Sequence, residues 1–260
     1  MQKSESLLKS KNFYFLISLF PFSFFIFHFG TADAAVLYLE PREATHYVGD
    51  TFLVEIRLNT EGEYINAAQI GVVFPDDALE IADFSKGNSV LTLWAEEPSW
   101  KNGVASFVGG TPAGYQGWDG ILGKIVFRAK GSADLANIKF SDSSKALLND
   151  GSGTQATLKV KNAAFTILKE TGKASEDQWE SDIAKDNISP EAFDVEIRKE
   201  AGLYNGKYFL AFSTVDKQTG IDHYEVTEFL DGGVFENMDA KSPYLLENQK
   251  LDGTIKVRAV

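Results

Sequence analysis

Four aromatic side chains, Trp94, Trp100, Tyr115 and Trp118, fall within one short, glycine-interleaved stretch of the chain. Read in loop-like contexts, such rings can stack on sugar faces or anchor a protein partner, because they supply large contact area with few rotatable bonds. The same four can instead cap the open end of a β-sandwich. A coplanar aromatic row would favour sugar, a flat mixed polar face would favour protein, and full burial of all four would leave a spacer.

Acid–base chemistry has less to work with. Glu96-Glu97 and Asp76-Asp77 are adjacent pairs, and neighbours on an extended chain point apart. Glycoside hydrolysis needs two carboxylates facing each other across a sugar. Asp142, Asn149 and Asp150 near Gly151-Ser152-Gly153 offer oxygens but lack the alternate-position pattern of a calcium loop; they read as a solvated turn. The chain has no cysteine and three histidines, His28, His46 and His223, far apart in sequence. Disulfides and thiolate metal sites are thereby excluded, and a Ser-His-Asp site would rest on one isolated histidine. No catalytic residue, metal or cofactor is assigned. The net charge of -12 argues against a nucleic-acid surface, which needs a basic stripe.

The glycines Gly109, Gly110, Gly114, Gly117 and Gly120 invite a phosphate-cradle reading, but that mechanism needs a helix N-terminus directly afterwards. Aromatic and β-branched residues follow instead. The stretch Gly103 to Arg128 reads as strand, glycine-rich aromatic loop, strand, with Ile125, Phe127 and Ala129 on the buried face and Lys124, Val126 and Arg128 outward.

The elements that must hold these residues are strands. Phe52, Val54, Ile56 and Leu58 alternate, as do Ala68, Ile70, Val72 and Phe74 before the turn Pro75-Asp76-Asp77. Leu79 and Ile81, Leu91 and Leu93, Ile138 and Phe140, and Leu158 to Ile167 continue the series. The chain order predicts four parts. Residues 1–34 are a signal peptide, with Lys3, Lys9 and Lys11 before an apolar run and Ala32-Asp33-Ala34 as a small-x-small cleavage site before Ala35. Residues 35–168 are an all-β sandwich or jelly roll. Residues 169–187 are a polar, charged linker with room for a short helix around Glu176 to Lys185, Trp179 touching a neighbouring domain. Residues 188–260 are a second, smaller β domain, with Asn205-Gly206 as a hairpin-type turn.

The order Val48-Gly49-Asp50-Thr51-Phe52-Leu53-Val54, Ile65-Asn66-Ala67-Ala68-Gln69, Val72-Val73-Phe74, Leu79-Glu80-Ile81 and Gly120-Ile121-Leu122 with Ile125-Val126-Phe127 resembles a cohesin domain. The resemblance covers nearly all of Ala35 to Leu168. It implies a jelly-roll sandwich of about nine strands, related in fold to cellulose-binding modules. Cohesins are non-catalytic receptors for dockerin domains, whose calcium-loaded helices dock on one flat sheet face, and they gather polysaccharide-degrading enzymes at cell surfaces. Asp216-Lys217-Gln218-Thr219-Gly220-Ile221-Asp222-His223-Tyr224-Glu225-Val226 resembles a segment of bacterial immunoglobulin-like or fibronectin-type repeats. That resemblance implies a spacer, expected to be incomplete because the chain reaches Val260 within a strand. The function expected is therefore that of an exported, secreted or cell-surface binding protein, without enzyme activity. Its partner would be a dockerin-bearing protein or a polysaccharide; the alternative is a structural or adhesive surface protein with neither ligand. Membrane contact would come only through an uncleaved leader or an anchor beyond this sequence.

Overall fold

The computed structural model describes residues 34–169, 176–230 and 232–260. The signal-peptide expectation falls on residues outside this set, apart from Ala34 and Ala35, which are both buried.

Alternating apolar residues produce strands throughout. They are β1 (Ala35–Glu40), β2 (Glu43–Tyr47), β3 (Thr51–Asn59), β4 (Ile65–Val73), β5 (Leu79–Ser85), β6 (Leu93–Lys101), β7 (Val104–Tyr115), β8 (Gly120–Ala129), β9 (Ala133–Phe140), β10 (Lys145–Leu148), β11 (Leu158–Lys161) and β12 (Ala163–Leu168). One sheet runs β11-β1-β3-β8-β5; the other runs β2-β12-β9-β4-β7-β6, with β10 also paired to β4. Their inner faces enclose one apolar core in which Phe52, Phe107, Phe127 and Phe165 are fully buried. Twelve strands form where the resemblance implies about nine. The short β2, β10 and β11 are pairing segments that reveal little alternation in sequence.

The glycine-rich loop is shorter than its sequence suggests. β7 continues through Gly109 and Gly110 to Tyr115, so the connection to β8 is only Gln116 to Asp119. Here glycine serves close approach: a Cβ on Gly109 would lie 2.8 Å from the Leu91 side chain.

After the sandwich comes α1 (Gln178–Lys185), capped by the Asp177 carboxylate, which accepts from Glu180 N. Then follow β13 (Val195–Lys199), β14 (Tyr208–Phe212), β15 (Tyr224–Leu230), β16 (Gly233–Ala240), β17 (Tyr244–Leu245) and β18 (Gly253–Ala259). They form two three-stranded sheets, β13-β14-β17 and β16-β15-β18, around a second, smaller core of Leu210, Phe212, Val226, Tyr244 and Leu246. The turn at Asn205-Gly206 forms with both residues at positive φ, 54° and 72°.

Among the described residues no helix is long and apolar enough to cross a membrane.

Candidate docking face

The two outer faces of the sandwich differ in what covers them. The outer face of the β3-β8-β5 sheet is occupied by the chain itself. The buried Asp50 carboxylate accepts from Tyr47 N at 2.8 Å and from Glu176 N at 3.0 Å, and Thr51 N donates to Glu176 O at 2.9 Å. These bonds lead the chain onto β3, where α1 packs. Leu53 N donates to Gln178 Oε1 at 3.4 Å, and Trp179 Nε1 donates to Asp83 Oδ2 at 2.9 Å. Val126 sits between Leu53 and Asp83 in the ladder and is 0% exposed, although its side chain belongs to the outer face.

The turn Asp216–Gly220 joins the same surface. The Asp216 carboxylate accepts from Gln218 N and Gly220 N and shapes the turn. Lys124 Nζ donates to Gln218 O at 3.0 Å, Asn88 N to Asp216 O at 3.1 Å, and Ser85 Oγ to Thr219 O. Asp186, just past α1, accepts from Thr219 N and from its hydroxyl, and these bonds hold the Asp186 carboxyl below its usual range. Linker and second β region are thus fastened to this face by polar contacts made mostly from backbone groups.

The outer face of the other sheet is open. Cross-strand registers place outward residues in rows. One row is Lys139, Val73, Val104, Lys101. The next is Gly71, Ser106, Ser99. A third is Lys145, Gln69, Val108, Glu96, and a fourth is Leu147, Ala67, Gly110, Leu93. Ser106, Ser99 and Ala67 are small, and the Ser141 side chain fills the space over Gly71. Val73 is 41% exposed and Val104 43%, side by side in the first row, and Leu93 is 55% exposed in the fourth row on edge strand β6, so apolar area lies open at two ends of a mostly polar surface. Three lysines border it on a chain whose net charge is -12, which makes this face a local exception to the acidic whole.

The four aromatics do not form one row. Trp94 lies in β6, pairs with Gly109 on the inward side and packs against Phe107 at 5.4 Å and Phe84 at 6.3 Å, with Lys86 Nζ 4.8 Å over its ring. Trp100 is also in β6, pairs with Ala105 and is 41% exposed at the sheet edge. Neither stands on a loop, a correction to the loop-like reading of both: β7 pairs with β6 at Leu93 and Trp94, at Glu96, and again from Ser99 to Lys101, across two register shifts. Tyr115 ends β7, packs against the core and crowds Gly117 and Gly120; burial raises its hydroxyl pKa. Trp118 stands on the β7–β8 loop, 81% exposed, its carbonyl oxygen accepting from Tyr38 OH at 3.4 Å. The strand from Ala105 to Tyr115 separates the surroundings of Trp100 and Trp118 by about 33 Å.

The other candidates find local roles. Asn66 Nδ2 donates to Asn149 Oδ1 at 3.3 Å, while Asn149 N donates to Tyr64 O at 2.8 Å, so the two amides tie one rim of the sandwich. Asp150 accepts from Ser152 N at 2.8 Å; hydrogen bonds from Thr154 and Ser152 hold its carboxyl low. Glu97 pairs with Lys86. His46 stacks on Phe52 with centroids 3.9 Å apart, its Nε2 buried without a partner, and desolvation lowers its pKa against the opposing pull of Asp50 and Glu176. His223 faces Asp222 at 2.7 Å and Glu225 at 3.5 Å; the bond to Asp222 raises its pKa. Among the described residues no group of three or more His, Cys, Asp or Glu could hold a metal.

Sequence reasoning missed the outward rows of β4, β7 and β9. Their alternation was legible, but which of the two outer faces stays open depends on where α1 lands.

No family model matches the chain, and no curated protein matches it. Similar solved structures are cohesin modules. One is a non-cellulosomal cohesin from the hyperthermophilic archaeon Archaeoglobus fulgidus, 14% identical, TM-score 0.44, covering 52% of this chain and 91% of that one. Another is the sixth cohesin of scaffoldin B from Acetivibrio cellulolyticus, solved with a dockerin, 19% identical, TM-score 0.43, covering 52% and 99%. A third is a type I cohesin–dockerin complex from Clostridium thermocellum, 16% identical, TM-score 0.44, covering 54% and 97%.

Proposed function

We propose that the sandwich is a non-catalytic, cohesin-like receptor for a dockerin-type protein domain, and that the partner docks on the open β9-β4-β7-β6 face. The observation that carries this reading is the asymmetry of the two outer faces. One is filled by the chain's own helix and turn; the other is polar over most of its rows and apolar at Val73, Val104 and Leu93. A mixed polar surface carrying exposed apolar side chains is the composition of a protein interface. A sugar platform would need several exposed rings in line, and Trp94 and Tyr115 are spent on the core. The pattern of the leader supports export, and a secreted or cell-surface place in polysaccharide degradation follows from the cohesin resemblance. In this reading residues 35–168 are the receptor, residues 169–187 the link, and residues 188–260 an immunoglobulin-like spacer.

The test is binding of the chain from residue 33 onward to a panel of dockerin modules in calcium, beside co-sedimentation with insoluble polysaccharides. Saturable dockerin binding is expected, weakened about thirtyfold or more by Val104→Asp, which sets a charge on the exposed Val73–Val104 pair. Trp118→Ala should leave it unchanged. Polysaccharide binding lost on Trp118→Ala, with no dockerin bound, would overturn the proposal.

A further inference from the structure

The second β region is open along one side. Among the described residues β13 pairs only with β14, and β18 only with β15, so each leaves one edge free there. Between these edges runs a groove of about 210 Å³, lined by the apolar Val195, Ile197, Leu210, Leu230 and Ile255 and by the polar Asn248 and Thr254. Val195 and Ile197 pair with Phe212 and Leu210, which are buried. Their side chains therefore belong to the inner face of the sheet, yet they are 39% and 50% exposed. Nothing in the described chain covers them. A free edge with inward apolar residues uncovered is a template for strand addition.

The outward residues of β13 say which strand fits. Its sequence is Val195-Glu196-Ile197-Arg198-Lys199. Laid antiparallel on a second copy about Ile197, it sets Glu196 opposite the second copy's Arg198, and Arg198 opposite its Glu196. The two-fold repeats that pair, so a single register gives two opposite-charge contacts across the seam. Both side chains are exposed and already lie together within one strand, Arg198 Nε 2.7 Å from Glu196 Oε2. Two other edges, β6 and β18, lack this match. β6 is interrupted by two register shifts and carries Pro98. β18 presents Lys256 and Arg258, of one sign, on its outward side.

We propose that β13 is a dimerisation edge: two copies of this chain join β13 to β13 antiparallel about Ile197, forming a continuous six-stranded sheet. On the inner face Ile197 then meets Ile197 of the second copy, and Val195 lies beneath the aliphatic stem of the second copy's Lys199. The two open sandwich faces are carried on separate protomers, so the dimer presents two docking faces without using either.

Sedimentation equilibrium on the unit Asp33–Val260, which is compact by its own contacts, tests this. A concentration-dependent dimer is expected. Glu196→Lys turns both cross-strand pairs repulsive and should weaken dimerisation about tenfold or more. The double swap Glu196→Arg with Arg198→Glu keeps the pairs complementary and should restore it. Ile197→Asp, at a half-exposed edge position, should abolish it, with circular dichroism checking that the variant stays folded. A wild type that stays monomeric, or a dimer indifferent to Glu196→Lys and Ile197→Asp, would overturn the proposal.

Discussion

Replacing Phe127 by alanine probes the sandwich at its centre. The ring is 0% exposed. It packs against Phe52 with centroids 5.9 Å apart and against Phe74 at 5.2 Å, the latter edge to face. In the ladders it lies between Phe52 on β3 and Ile81 on β5. Removing it forfeits the transfer free energy of a buried aromatic, about 1.5–3 kcal/mol. A cavity remains that the two flanking strands cannot collapse without breaking register, which brings the total to about 3–5 kcal/mol. The melting midpoint of the sandwich should fall by roughly 10–15 °C. Trp94, packed on Phe107 in the same core, makes fluorescence a reporter of this unfolding rather than of the second core. Arg128→Ala, one residue on and exposed, should change stability by less than about 0.5 kcal/mol. A loss below about 1 kcal/mol for Phe127→Ala would refute the reasoning, since no fully buried phenylalanine between two paired strands is that dispensable.

Two further outcomes follow from buried polar groups. Glu228 is 0% exposed in the second core, where its carboxylate accepts from Glu247 N and Asn248 N, each at 3.0 Å. Burial and the Glu228 charge push the neighbouring Tyr244 hydroxyl up to about 12. Glu228→Ala would strand those donors, at a cost of about 2–3 kcal/mol, seen as loss of the second region's unfolding transition with the sandwich's intact. For His46, burial depresses the folded pKa below the ordinary 6.5. The unfolded chain therefore takes up a proton first as pH falls, and stability contributed above about pH 6.5 is lost between that value and the folded pKa. Comparing wild type with His46→Phe by urea denaturation from pH 7 to 5 should show a shallower decline in the variant; parallel declines would exclude His46 as a contributor.

The sequence by itself determined the strands, the faces they bury and the turn chemistry between them. Phe52, Val54, Ile56 and Leu58 alternate, and all four are buried, because period-two patterning is a local property that register cannot evade. Asp216 shaping its own turn is likewise local. Val126 shows where that logic stops. Its alternation assigns it to solvent, and locally that is right, but α1 arrives over the β3–β8 strands and leaves it fully buried. The same arrival decides which sandwich face remains free for a partner. Trp94 and Trp100 likewise look like loop residues until β7 pairs with β6 at both of its ends. Patterning fixes which way a side chain points from its own strand. What lies on the far side comes from residues far along the chain, 126 positions for Asp50 with Glu176 and 96 for Asp83 with Trp179, and only the folded chain brings these together.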